Sequence, residues 1–176
     1  MTADLRIAPL RVEDIDALVA LTRDTWQRHY TTIISQAQID YMLAQRYAPD
    51  FIRAQLARDD LWWDALHVDG VLTGFAQSER GERPGDMKID KLYMRYDARG
   101  QGFGGALVRH VEQRARTLGC DRLYLQVNKN NTSAIGAYRK HGFEIVESAT
   151  FDIGNGFVMD DYIMARPVAP AAEAAS

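Results

Sequence analysis

The chain of 176 residues contains one cysteine, Cys120, so no disulfide can form within it. It has no apolar run of bilayer-spanning length and no secretory leader pattern. Its histidines, His29, His67, His110 and His141, show no ligand spacing, and a single thiol offers them no partner, which predicts no metal. The net charge of -3 lacks the basic excess of a general nucleic-acid surface, although a local basic rim stays compatible with it. These absences point to a cytoplasmic protein that engages neither membrane nor nucleic acid. Cys120 itself reads as a small residue closing a helix-to-strand turn, because no base stands near it in sequence.

What the chain does have is a glycine loop at its centre, Arg99-Gly100-Gln101-Gly102-Phe103-Gly104-Gly105. The strand-like run Met87 to Met94 leads in, and an amphipathic helix leads out, with Leu107, Val108, Val111, Ala115 and Leu118 on one face and Gly119 as a stop. A first helical turn has unpaired N–H groups and a partial positive charge, and glycines let an anion approach the backbone closely. The loop therefore reads as a phosphate cradle, with Arg99 adding a full charge at its rim. A nucleoside-triphosphate loop would end in Gly-Lys-Ser/Thr, and this one ends Gly104-Gly105-Ala106. Gly100, Gly102 and Gly105 do satisfy the dinucleotide pattern G-x-G-x-x-G. However, Asp121 opens the next strand instead of closing it, and Lys88, Asp90 and Lys91 interrupt the strand before the loop, so nicotinamide binding is the weakest reading.

The rest of the chain reads as alternating helices and strands. Leu5 to Leu10 is a strand, and a helix then carries Ile15, Leu18, Val19, Thr22 and Trp26 on one face. Ser35 caps a second helix with Ile39, Met42 and Leu43, and Pro49 opens a third with Phe51, Ile52 and Leu56. The aromatics Trp26, Tyr30 and Tyr41 either pack these helices together or line a pocket. Leu61 to Val68 and Val71 to Ser78 form a hairpin about Asp69-Gly70, followed by an exposed loop from Glu79 to Gly85. Later come a strand from Arg122 to Val127, a helix from Thr132 to His141, and strands Phe143 to Phe151 and Phe157 to Ala165. This order predicts a mixed α/β fold in a single domain, 1–166, with a tail, 167–176, whose Ala- and Pro-rich composition predicts disorder.

Arg99-x-x-Gly102-x-Gly104 resembles the acyl-CoA pyrophosphate loop of the GNAT N-acetyltransferase superfamily. Asn131-x-x-Ala134-x-x-x-Tyr138-x-x-x-Gly142-Phe143 resembles that superfamily's second signature. The resemblance implies the GNAT fold, a mixed central sheet flanked by helices, with acetyl-CoA as cosubstrate. In the superfamily the strand before the loop and the strand after the following helix splay apart, and the pantetheine arm lies in the opening. It further implies that residues 99 to 105, Arg99, Gly100, Gln101, Gly102, Phe103, Gly104 and Gly105, hold the pyrophosphate. Backbone groups of Leu92 and Met94 and the side chain of Asn131 would hold the pantetheine arm, Asn131 having a helix cap as its other reading.

Acetyl transfer to an amine requires that an ammonium of pKa near ~10 lose a proton and that a thiolate whose acid has pKa near ~8.5 gain one. By resemblance Tyr138 is the proton donor. Many members carry glutamate where this chain has Lys88; Asp90 matches the position of an acid in polyamine acetyltransferases and is the expected base, with Asp86 and Glu79 in reserve. The acceptor is expected to be a small-molecule amine, a polyamine among the candidates, or a peptide N-terminus, and a homodimer is compatible with the family. The alternative is an acyl-CoA-binding regulatory domain without catalysis.

Overall fold

The computed structural model describes residues 2–170. Seven strands form one mixed sheet in the order β1-β2-β3-β4-β5-β7-β6: β1 Leu5–Pro9, β2 Leu61–Val68, β3 Val71–Arg80, β4 Asp86–Met94, β5 Arg122–Asn128, β6 Glu144–Gly154 and β7 Phe157–Pro167. The helices are α1 Ile15–His29, α2 Gln36–Arg46, α3 Pro49–Leu56, α4 Phe103–Thr117 and α5 Thr132–Lys140. The chain divides into two compact units, one holding residues up to Ser78 with Asp90–Leu107, the other Glu79–Ile89 with the chain from Val108 onward.

In the first unit β1 runs antiparallel to β2 with Ile7 opposite Leu66. The Asp69-Gly70 turn places both residues at positive φ, 50° and 80°, as a two-residue hairpin requires. Ser35 caps α2, its side chain accepting from the Gln38 N–H at 3.2 Å, and Pro49 opens α3 where its missing N–H is harmless. The core takes Leu18, Leu21 and Trp26 from α1, Ile39 and Met42 from α2, Ile52 from α3, and Trp63, Leu66 and Phe75 from the hairpin. Each such side chain contributes about 1.5–3 kcal/mol on burial. Phe51, expected on the buried face of α3, is 43% exposed. Adjacent helical positions lie about 100° apart, and Ile52 takes the inward one.

In the second unit β4 pairs in parallel with β5 from Asp86↔Arg122 to Ile89↔Leu125, and β7 lies antiparallel between β5 and β6. Val108, Val111 and Ala115 of α4, Ile135 of α5, and Leu123, Leu125, Phe143 and Met164 are buried. β3 extends to Arg80, so the loop expected from Glu79 is shorter, and the Gly81 N–H closes it on the Asp86 carbonyl at 2.9 Å. β7 reaches Pro167; Val168 N–H then donates to the Asp121 carbonyl at 2.8 Å, and Arg116 Nε donates to the Ala169 carbonyl at 2.7 Å. The start of the expected tail is therefore tied down, while its remainder, 171–176, lies outside the described residues. No described helix is long and apolar enough to cross a membrane.

Candidate active site

The glycine loop belongs to the first unit. Gly100 and Gly102 have φ of 78° and 85°, and a Cβ on either would meet nothing within 4 Å. Both the backbone conformation and the open space in front of it suit glycine and leave room for a ligand against the first turn of α4. Helix α4 begins at Phe103, and its first turn closes with Ala106 N–H on the Gly102 carbonyl at 3.2 Å. Gln101, Gly104 and Gly105 complete the turn, Gly105 being buried and Gln101 exposed.

Arg99 is exposed at the rim, its guanidinium 4.9 Å from the Tyr96 ring and its NH1 3.3 Å from His29 Nδ1. Arg28 lies over the same ring at 5.4 Å. The end of α1 thus adds Arg28 to the basic rim and seats His29 against Arg99, which sequence spacing could not reveal across about seventy residues. Leu92 is half-buried and Met94 buried; the Met94 carbonyl already accepts from Thr25 Oγ1 at 3.0 Å.

Asp90 also lies in the first unit. Its Oδ2 accepts from Lys91 Nζ at 2.6 Å and from Arg46 NH2 at 3.0 Å. Lys91 additionally donates to Gln77 Oε1 at 3.2 Å and stands over the Trp63 and Tyr47 rings at 5.2 and 5.7 Å. The Tyr47 ring packs edge-on against Trp26 and Phe75, and the Tyr93 ring lies tilted against both of these. Tyr30 packs on Trp26 and shares a 3.3 Å hydroxyl contact with Tyr93. Burial pushes the Tyr47 and Tyr93 phenols well above their ordinary value, with neighbouring Tyr30 adding to both, so they remain neutral. Burial works against the Arg46 charge, but Asp90, Tyr47 and Tyr93 outweigh it and the guanidinium is pushed up. Trp26 Nε1 is a buried donor with no hydrogen-bond partner among the described residues. The aromatics of α1 are therefore both packing and part of a polar cluster.

The second motif lies in the second unit. Asn131, buried, caps α5 by accepting from the Ala134 N–H and the Ser133 hydroxyl, both at 3.4 Å. Tyr138 is half-buried on α5, edge-on to the buried Phe143 ring at 5.8 Å. Its carbonyl accepts from the N–H groups of His141 and Phe143, and the chain leaves the helix after Lys140 through Gly142 at φ 87°. Of the reserve acids, Asp86 is 3% exposed and doubly bonded to Arg122, Nε and NH2 each at 3.0 Å, with Arg83 Nε at 3.4 Å. Both of its carboxylate oxygens are thus engaged by arginine. Cys120 is buried, its Sγ 3.8 Å from the Asp86 carbonyl, and burial pushes its thiol up. No group of three or more His, Cys, Asp or Glu suited to a metal occurs among the described residues.

A glycine turn opening a helix, with clear space before it and a basic rim beside it, defines an anion-binding α/β domain. The model of the acetyltransferase (GNAT) family matches residues 16–143, and the chain belongs to that family. It is 22% identical over 160 residues to a spermidine N(1)-acetyltransferase of Thermoplasma acidophilum, covering 89% of this chain and 96% of that protein. It is 37% identical over 79 residues to a streptothricin acetyltransferase of Streptomyces lavendulae, covering 45% of this chain and 42% of that protein. The fold matches the crystal structure of the PaiA N-acetyltransferase of Thermoplasma acidophilum in complex with coenzyme A. The TM-score is 0.80 at 21% identity, over 93% of this chain and 99% of that chain.

Proposed function

We propose that the protein transfers the acetyl group of acetyl-CoA directly to a primary amine, either a small molecule or a peptide N-terminus. The observation that carries this reading is the loop: Gly100 and Gly102 at positive φ, open space before them, and Arg99 on its rim at the start of α4. The coenzyme A pyrophosphate fits this cradle because its charge and its acceptor oxygens match the unpaired N–H groups there. Gln101, Phe103, Gly104 and Gly105 complete the cradle, and Arg99 with Arg28 gives the rim its positive charge.

Leu92 and Met94 offer backbone groups to the pantetheine arm. Asn131, at the cap of α5, contributes to holding the same arm. Tyr138 donates the proton that the departing thiolate takes up. Asp90 receives the proton lost by the acceptor's ammonium. Arg46 and Lys91 hold its carboxylate in place.

The test is acetyl-CoA consumption followed by free-thiol release, against polyamines, amino acids, aminoglycosides and N-terminal peptides. Acceptor-dependent release is expected with one class. Acetyl-CoA binding without release from any acceptor would replace this reading with that of a regulatory acyl-CoA-binding domain.

A further inference from the structure

The cluster around Asp90 is graded in depth. The Lys91 side chain is 4% exposed, that of Asp90 14%, and that of Arg46 29%, so Arg46 at the end of α2 is the outermost charge. Arg46 donates one hydrogen bond among the described residues, from NH2 to Asp90 Oδ2. The geometry of a guanidinium then matters. NH2 carries two hydrogens, and whichever one Asp90 takes, the other still forms an intact two-pronged face with either Nε or NH1. That face is planar and permanently charged, and it matches a carboxylate.

The cluster also carries more cation than anion, Arg46 and Lys91 against the Asp90 carboxylate. The Trp26 indole N–H, a second donor, has no partner among the described residues, whereas the acceptors Asp90 Oδ2 and Gln77 Oε1 already take Arg46 and Lys91. Donor-rich surroundings with a buried lysine and a part-exposed arginine suit an acceptor oxygen on the ligand and disfavour a polycation.

We propose that Arg46 is a specificity residue that grips a carboxylate on the acceptor, so that the acetylated amine belongs to an amino acid or another small molecule bearing both groups. This rests on the acetyl-transfer reading above and narrows its acceptor to one class. Asp90, itself held by Lys91, fixes the guanidinium from one side and leaves its second face for the substrate.

The experiment compares matched pairs that differ only in the carboxylate: ornithine with putrescine, lysine with cadaverine, arginine with agmatine, tyrosine with tyramine, each beside the corresponding amino-acid amide. Turnover is read as thiol release. Binding is read by calorimetry on protein saturated with coenzyme A, in wild type and in Arg46→Lys, which keeps the charge beside Asp90 but loses the fork. In wild type the carboxylate member of at least one pair is expected to bind, and to turn over, about ten- to a hundredfold better than its amine and its amide. In Arg46→Lys that ratio should fall toward one while coenzyme A affinity, which reports the fold, is kept.

Equal or better binding of the decarboxylated amines, binding of no pair member, or a ratio that survives Arg46→Lys overturns the proposal. A carboxylate preference in binding that is lost in Arg46→Lys but accompanied by no thiol release supports the carboxylate site and overturns catalysis alone.

Discussion

Cutting the Asp86–Arg122 pair should destabilise the protein unequally from its two ends. Asp86 is 3% exposed and Arg122 28%, with two parallel bonds of 3.0 Å joining them. At a charge separation of about 4 Å and an effective dielectric constant of about 20 the attraction is roughly 4 kcal/mol, against roughly 0–1 kcal/mol for an exposed pair. Arg122→Met strands a buried anion whose remaining cation is Arg83, 3.4 Å away and 66% exposed, so about 3 kcal/mol should be lost. Asp86→Asn strands a cation that reaches water and keeps a hydrogen-bonding amide, so the loss should be nearer ~1.5 kcal/mol. The double variant should lose less than the sum. Urea unfolding followed by circular dichroism measures all three. An Arg122→Met loss under about 1 kcal/mol, or one smaller than that of Asp86→Asn, refutes the reasoning. Turnover per folded molecule should survive Asp86→Asn, and its collapse would return Asp86 to the list of bases.

Four further outcomes test the site. Gly102→Val places a β-branched residue at φ 85° and fills the space before α4, so coenzyme A affinity by calorimetry should fall at least about tenfold. Tyr138→Phe should lower kcat by about 10²–10⁴ with coenzyme A affinity kept, and an unaltered kcat removes Tyr138 as proton donor. Asp90→Asn should flatten the acceptor-dependent pH profile, and a profile identical to wild type removes Asp90 from proton transfer. Tyr47 and Tyr93 are held neutral in the fold and ionise near the ordinary phenol value of about 10 once unfolded, so their contribution is complete below that pH and is lost as the pH rises beyond it. Stability should then fall by about 1.4 kcal/mol per pH unit for each tyrosine, and Tyr47→Phe should remove one such increment from the slope measured between roughly pH 10 and 12.

The parts of this architecture that were readable beforehand are those encoded within a few residues. Asp69-Gly70 dictates its own turn, Ser35 its own cap, and Gly100 with Gly102 the left-handed backbone before α4. Strand lengths were less readable, because β3 and β7 continue through charged and proline-bearing ends where tertiary hydrogen bonds decide: Gly81 to Asp86, and Val168 to Asp121. Long-range pairings had no local signature. Arg46 lies 44 positions from Asp90, and Thr25 lies 69 from Met94, so neither partner carries a pattern that names the other. Asp90 was readable as an acid on the central strand, but the cations that hold it were not. The aromatics on α1 were legible as a helix face, and only the fold joins them to Tyr47, Trp63, Phe75 and Tyr93.

Cys120 bears on how the protein can be studied. Its thiol is buried and its pKa is raised, so little thiolate is available to react in the folded state. Thiol-reactive dyes that report released coenzyme A should therefore see almost no signal from the folded protein, and a colour change slow enough to track unfolding would report Cys120 emerging. The same silence makes the native chain a ready background for placing a single engineered cysteine label on either unit, with no prior removal of a competing thiol.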